Sequence, residues 1–308
     1  MRPLKNLCEV AVIGGGLAGL FAARHVGRSG RLVTLFEGRG MFGGQVATVD
    51  EVDGLAAPGK FSGQDLAIPL LDDVRKANAH VEETNITRLD AADRLTLTDE
   101  GGKTWRPDAV IIASGASLRK LGVPGEEEFV GRGVSRCATC DGGFFRNQDV
   151  AVVGGGDAAV QEALVLARTS RRVIMVCRSP MKARRDYVDR LDARENVEFV
   201  WDSEVEEILG KDGVAGLRLK NVRTGASSEI ECAGVFPFIG VEPNSAFVPP
   251  SLLDANGLVA TNGGVQTADP RILAVGAVRA HYGGNVVQAM AEGVTAAEAV
   301  VDLLGRRE

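Results

Sequence analysis

Two stretches of this chain repeat one pattern, a short apolar strand, three consecutive glycines and a helix-forming run, and that repeat leaves few folds open. The first runs through Glu9-Val10-Ala11-Val12-Ile13 into Gly14-Gly15-Gly16-Leu17-Ala18-Gly19 and on to Val26. The second runs through Asp149-Val150-Ala151-Val152-Val153 into Gly154-Gly155-Gly156-Asp157-Ala158-Ala159 and on to Arg168. Continuous apolar runs of this length suit strands buried on both faces, as in a parallel sheet. In that setting Gly14-x-Gly16-x-x-Gly19 reads as a dinucleotide fingerprint. Gly14 permits the tight turn, Gly16 lets the backbone approach a pyrophosphate and Gly19 lets helix and strand close together, while the helix start at Leu17 and Ala18 presents N–H groups to the anion. Gly154, Gly156, Asp157, Ala158 and Ala159 repeat the arrangement. One match is weak; two predict an α/β chain with two Rossmann-like dinucleotide-binding domains.

The strand after each glycine loop differs in how it ends. Residues 32–36 lead to Glu37, about twenty residues beyond the middle glycine, where a carboxylate accepts from ribose hydroxyls and repels a 2′-phosphate. The first site therefore suits FAD or NAD. Residues 173–176 lead instead to Cys177-Arg178, with Lys182, Arg184 and Arg185 close behind. A cation there suits the 2′-phosphate that distinguishes NADP from NAD. Gly43-Gly44-Gln45 and the strand end Ala113-Ser114-Gly115 supply further small residues where a backbone can lie close to a ligand.

Between the two units stands Cys137-Ala138-Thr139-Cys140-Asp141-Gly142. A Cys-x-x-Cys pair brings two thiols within a turn of each other and typically lowers the pKa of one toward about 7. Zinc is the competing use of this spacing, but it needs further ligands, and Cys8, Cys177 and Cys232 are scattered singly, so no metal site is expected. Cys8 and Cys232 read as buried small hydrophobes. Trp105, Trp201 and Phe144-Phe145 read as core or domain-contact residues.

With 308 residues, 45% of them hydrophobic, the chain is long enough for two cores. A net charge of −6 gives no sign of a basic surface large enough to suggest nucleic acid. No apolar run reaches the length of a membrane helix. Residues 1–7 show no signal-peptide core, so the expected compartment is cytoplasmic, where a Cys-x-x-Cys is catalytic.

These motifs together resemble the low-molecular-weight thioredoxin reductases over nearly the whole chain, because in that family the cysteine pair lies just ahead of the second glycine loop. The resemblance implies an FAD domain at about 1–118 and 244–308, interrupted by an NADPH domain at about 119–243, and a homodimer. It implies that Cys140 faces the flavin, that Cys137 exchanges with a partner disulfide, and that Asp141 is the acid. Gly276, Ala277, Asn285 and Val286 fall in register with the family's closing flavin motif.

Four departures bear on the cofactors. Ala277 stands where the family has an Asp that holds the FAD ribityl chain, and Gly284-Asn285 stands where it has Arg-Gln. Cys177-Arg178-Ser179 keeps one of the paired arginines of the NADPH clamp, with Lys182-Ala183 echoing the next contact. Gly54 stands where the family often has Asn. The leading expectation is an NADPH-dependent, FAD-containing reductase of thioredoxin or a thioredoxin-like protein. The alternatives are an FAD-dependent dithiol oxidase or small-disulfide reductase fed by oxygen or another donor, and a binding protein that has lost flavin turnover.

Overall fold

The computed structural model describes residues 8–52, 55, 61–77 and 79–305; the readings of residues 1–7 and of Gly54 fall outside them. The chain divides into two compact units, one formed by residues 1–117 and 243–308, the other by residues 118–242.

The first unit is built on a parallel sheet of β1 (Val10–Ile13), β2 (Val33–Phe36), β3 (His80–Glu82), β7 (Ala109–Ile112) and β17 (Ile272–Ala274), in the order β17-β7-β1-β2-β3. Every residue of β1, β2, β7 and β17 is buried, as strands covered on both faces require. The alternation along β1 shows what covers them. Val10 and Val12 face a core shared with the helices α1 (Leu17–Arg28), α2 (Gly63–Lys76) and α6 (Val286–Leu304). Ala11 and Ile13 face a second core against an antiparallel sheet of β4 (Ile86–Ala91), β5 (Leu95–Asp99) and β6 (Thr104–Trp105). Helix α2 begins with a capping box, Ser62 accepting from the Asp65 N–H while the Asp65 carboxylate accepts from the Ser62 N–H. Helices α1 and α6 meet closely because Gly293 has no side chain: a Cβ there would lie 2.3 Å from the Ala18 carbonyl oxygen.

The second unit repeats the plan. Its parallel sheet orders β11 (Val197–Trp201), β10 (Arg172–Cys177), β9 (Asp149–Val153) and β15 (Gly234–Pro237). One face carries α3 (Ala138–Asp141), α4 (Asp157–Leu166) and α5 (Arg185–Asp192). The other carries an antiparallel sheet of β12 (Ser203–Gly210), β13 (Val214–Asn221) and β14 (Ser227–Glu231). Each unit therefore has three layers, with helices on one face and a β-meander on the other. The chain crosses between the units along β8 (Ala116–Leu118) and β16 (Val241–Pro243), which pair as a two-stranded ribbon.

The aromatic residues divide. Trp105 is buried edge-on to Phe36, and Phe145 packs edge-on to Phe236. Phe144 and Trp201 do not enter the core: they are 79% and 46% exposed. Phe144 sits in a single 3-10 turn, Gly142–Phe145, whose buried side is filled by its neighbour, and Trp201 ends the edge strand β11, stacked on Phe199. Among the described residues no helix is long and apolar enough to cross a membrane.

Candidate redox and dinucleotide sites

Both glycine loops sit at the carboxyl ends of parallel strands, where an open α/β sheet binds its ligands. In the first unit Gly14 follows β1 with φ +109°, and a Cβ there would lie 2.3 Å from the Ala113 carbonyl oxygen at the end of β7. At Gly19 a Cβ would lie 1.9 Å from the Gly14 oxygen. Gly43 donates to the Gly15 carbonyl at 2.8 Å, so the turn holding Gly43, Gly44 and Gln45 lies on the first loop, and the Gln45 amide donates to the Ala116 carbonyl. Gly115, with φ +65°, accepts from the Asn244 N–H at 3.0 Å. The structure thus brings together Gly14, Gly16, Gly19, Gly43, Gly44, Gln45, Ala113 and Gly115.

Glu37 has a local task that its position alone did not show. Its carboxylate accepts from the Gly15 N–H and from the Arg39 N–H, each at 2.7 Å, which ties the end of β2 to the glycine loop. Each oxygen keeps a further lone pair for a ribose hydroxyl. Leu17 and Ala18 are buried, so only their backbone faces outward. Helix α1 starts at Gly16 with no side-chain cap, and a Cβ on Gly16 would meet nothing within 4 Å. Orphaned N–H groups facing open space fit the pyrophosphate of FAD.

Gly276, at φ +71°, follows β17 and donates its N–H to Glu292 of α6 at 2.8 Å. Glu292 also accepts from Arg279 Nε at 3.0 Å and Nη2, and from Gln288 at 2.7 Å. Both Arg279 and Glu292 are 7% exposed. Burial alone would push the Glu292 carboxyl up, but Arg279, the Gly276 N–H and Gln288 together outweigh it and hold it below the usual range. Ala277 is half-buried beside this ion pair. Asn285 is the N-cap of α6, its side chain accepting from the Gln288 N–H at 2.8 Å, and Val286 is the first helical residue, packed on the core. The sequence did hold a signal for Glu292, the one acid on the Ala- and Gly-rich buried stripe of α6.

In the second unit Gly154 has φ +137°, and a Cβ there would lie 2.2 Å from the Phe238 carbonyl oxygen. Gly156 starts α4 without a side-chain cap and faces open space, so this loop fits the pyrophosphate of NADPH as the first fits that of FAD. Asp157 accepts from the Arg184 N–H at 2.7 Å, and the Gly155 carbonyl accepts from Lys182 at 2.8 Å and Ala183 at 3.1 Å, so the basic segment is anchored to the loop. Ala158 is exposed and Ala159 buried. Arg184 and Arg185 pair with Asp186 and Asp189, whereas Arg178 and Lys182 are exposed and carry no ion pair among the described residues. Cys177 is buried beneath the loop, its thiol donating to the Gly154 carbonyl at 3.4 Å, and burial pushes it up to about 11.

Cys137 and Cys140 form a disulfide with their Cα atoms 5.3 Å apart. Cys137 is the N-cap of α3, and its sulfur accepts from the Cys140 N–H at 3.1 Å. Cys137 is half-buried and Cys140 exposed. Two neighbours escaped sequence reasoning because nothing in the spacing marks them. The buried Ser135 hydroxyl donates to Asp141 Oδ2 at 2.6 Å and accepts from the Cys137 N–H at 3.2 Å. From α4, the Glu162 carboxylate accepts from the Ala138 N–H at 2.6 Å. The arrangement can make and break an S–S bond with an acid held alongside.

Residues 8–293 match the family model described as pyridine nucleotide-disulphide oxidoreductase. The chain is 35% identical to thioredoxin reductase of Treponema pallidum, covering 96% of this chain and 97% of that one. It is 37% identical to that of Listeria monocytogenes, over 95% and 92%. The crystal structure of Lactococcus lactis thioredoxin reductase superposes with a TM-score of 0.92 at 34% identity, covering 97% of this chain and 99% of that one. With two glycine loops, a cysteine pair ahead of the second and likeness over nearly its full length, the chain belongs to the pyridine nucleotide-disulphide oxidoreductases, in their thioredoxin reductase branch.

Proposed function

We propose that the chain is a flavoprotein disulfide reductase that passes electrons from NADPH through FAD and the Cys137–Cys140 pair to the disulfide of a thioredoxin-like protein. The observation that carries this reading is the Cys137–Cys140 disulfide, formed directly ahead of β9 and its glycine loop. When bound, NADPH supplies a hydride and FAD relays its two electrons. The chain's own residues do the rest. Gly14, Gly16, Gly19 and Glu37 hold the flavin nucleotide with Gly43, Gly44, Gln45, Ala113, Gly115 and the turn at Gly276-Ala277. Gly154, Gly156 and the start of α4 hold NADPH, with Arg178 and Lys182 as the cations for its 2′-phosphate.

Cys137 is the exchanging thiol. The Cys140 N–H aimed at its sulfur would donate to a thiolate there, which favours Cys137 as nucleophile. It attacks one sulfur of the partner disulfide and releases the other as a thiolate, a mixed disulfide forms, and Cys140 then attacks the Cys137 sulfur, which expels the partner's second thiolate and closes the pair again. Asp141, held by Ser135, gives the departing thiolate its proton. A Cys-x-x-Cys used catalytically rather than as a structural staple is consistent with a cytoplasmic enzyme. The family implies a homodimer, which light scattering of the purified protein tests.

The deciding experiment is an anaerobic titration of FAD-saturated protein with the visible spectrum as readout. Bleaching by NADPH and not by NADH, followed by reduction of a thioredoxin disulfide, is expected. One observation favours a second reading: two of the four basic residues near the loop are already paired with Asp186 and Asp189, which leaves a thin 2′-phosphate clamp. Protein bleached only by a dithiol would establish a dithiol oxidase or small-disulfide reductase instead. No bleaching by either would refute both.

A further inference from the structure

The cysteine pair is flanked by two carboxylates that reach it from different elements. Asp141 follows Cys140 in the chain and is tied back to the Cys137 N–H through Ser135. Glu162 comes from α4, the helix whose start carries the second glycine loop, and its half-buried carboxylate is bonded at 2.6 Å to the N–H of Ala138, the residue after Cys137. The cation nearest in sequence, Arg136, is directed to Glu126 at 3.4 Å. Among the groups that pull the other way is the Cys140 N–H, 3.1 Å from the Cys137 sulfur. The 3-10 turn Gly142–Phe145, which follows α3, brings no titratable side chain.

We propose that Glu162 is a positioning residue for the redox pair: it anchors the Ala138 amide and, through its charge, keeps the reduced cysteines protonated, which holds the pair to a low reduction potential. The inference rests on the redox role proposed above for Cys137 and Cys140. Reduction breaks the S–S bond with two electrons and two protons and forms two thiols; ionisation of one thiol then releases a proton. Whatever stabilises that thiolate stabilises the reduced state and makes the pair a weaker reductant. A carboxylate bonded to the N–H of the residue after Cys137 acts in the opposite sense. It lets a reductase keep its driving force as the pH rises.

Two substitutions separate charge from anchoring. Glu162→Gln removes the charge and keeps an oxygen for the Ala138 N–H, whereas Glu162→Ala removes both. The holoenzyme is equilibrated with dithiothreitol buffers, trapped by alkylation and counted by mass, so that neither NADPH nor turnover enters the readout. At pH 9, Glu162→Gln should move the equilibrium toward the reduced pair by about 3- to 30-fold, or roughly 15–45 mV for two electrons. At pH 6, where both proteins hold protonated thiols, the two should coincide. Wild-type protein in about 1 M KCl, where the Debye length is roughly 3 Å, should move the same way by less, which gives a measurement free of any folding defect. Coincidence of Glu162→Gln with wild type at both pH values, or a shift in Glu162→Ala alone, would overturn the proposal. A wild-type pair that never interconverts with its disulfide would instead sink the redox reading itself.

Discussion

Removing the Glu292 carboxylate should be among the most damaging single changes in the first unit, although residue 292 lies on no recognisable motif. Its two oxygens accept from Arg279, Gln288 and the Gly276 N–H, and its ion-pair partner is as deeply buried as it is. Truncating one member of a buried ion pair strands the other charge and costs about 3–5 kcal/mol. An orphaned buried N–H adds about 1–3 kcal/mol. Glu292→Gln can still accept from Gly276 and should cost roughly 3 kcal/mol, whereas Glu292→Ala should cost roughly 4–5 kcal/mol. The double replacement Arg279→Met with Glu292→Met leaves no lone charge, only the Gly276 N–H, the Gln288 amide and the Ala280 carbonyl short of a partner, and should cost about 1–3 kcal/mol, less than Glu292→Ala alone.

Urea unfolding followed by tryptophan fluorescence tests this directly. The chain has two tryptophans, so a Trp201→Phe background leaves Trp105, buried in the first unit, as the reporter. The pH dependence follows from the depressed Glu292 carboxyl. A group titrating lower in the folded state stabilises the protein in full above the range of an ordinary Glu, near 4.5, and loses that contribution as the pH falls through the folded value. The gap between wild type and Glu292→Gln should therefore be full at pH 7 and close in acid below about 4.5. A loss under about 1 kcal/mol for Glu292→Ala, or a double variant worse than the single, would refute the reasoning.

Gly19→Ala should purify with little bound flavin and a lowered melting temperature, because its Cβ would lie 1.9 Å from the Gly14 oxygen; normal flavin content would contradict the close approach. Ala277→Asp should tighten FAD binding by about one to two decades through a charged acceptor, and a flavin titration showing equal or weaker affinity would remove that explanation. Cys140→Ser should abolish disulfide turnover while leaving flavin reduction by NADPH intact, and stopped-flow loss of both would show the division of labour to be wrong. Thiol titration of the folded protein should find no fast-reacting group before reduction and two after. Cys8, Cys177 and Cys232 are buried, and burial pushes them up to between about 11 and 12; a third fast thiol would show one of them exposed.

The parallel strands were legible because a strand covered on both faces must be apolar throughout, and β1 and β9 read so without interruption. The glycines were legible for a stricter reason: Gly14, Gly19 and Gly154 stand where any side chain would collide with backbone. The meander β12–β14 carries no such signature. Its residues alternate between a buried face at Val205, Leu217 and Leu219 and a charged one at Glu206, Arg218 and Lys220, and half-buried strands of that kind resemble many surface segments. Phe144 and Trp201 show the limit of reading burial from residue type, since a turn and an edge strand each leave one side without a neighbour. The links made by Ser135, Glu162 and Glu292 were illegible from spacing alone, because each depends on which helix the fold lays beside which backbone N–H.

The departures near the C-terminus look different once that segment is traced bond by bond. Gly284 has φ +77°, which an arginine would adopt only under strain, and Asn285 caps α6. The Tyr282 hydroxyl donates to the Asn285 carbonyl at 2.6 Å, and Gln288 accepts from the Gly283 N–H at 2.9 Å while donating to Glu292, which holds Gly276 and Arg279. A continuous chain of hydrogen bonds thus runs from the start of α6 to the turn that contains Ala277. In such a chain single replacements do not add. An aspartate at 277 would enter a turn that already neighbours a buried carboxylate and its guanidinium, so its gain in flavin affinity depends on Arg279 and should be smaller once Arg279 is removed. The turn at Gly276-Ala277 is thus held in this chain by the α6 carboxylate, and Ala277→Asp tests the flavin contact on its own.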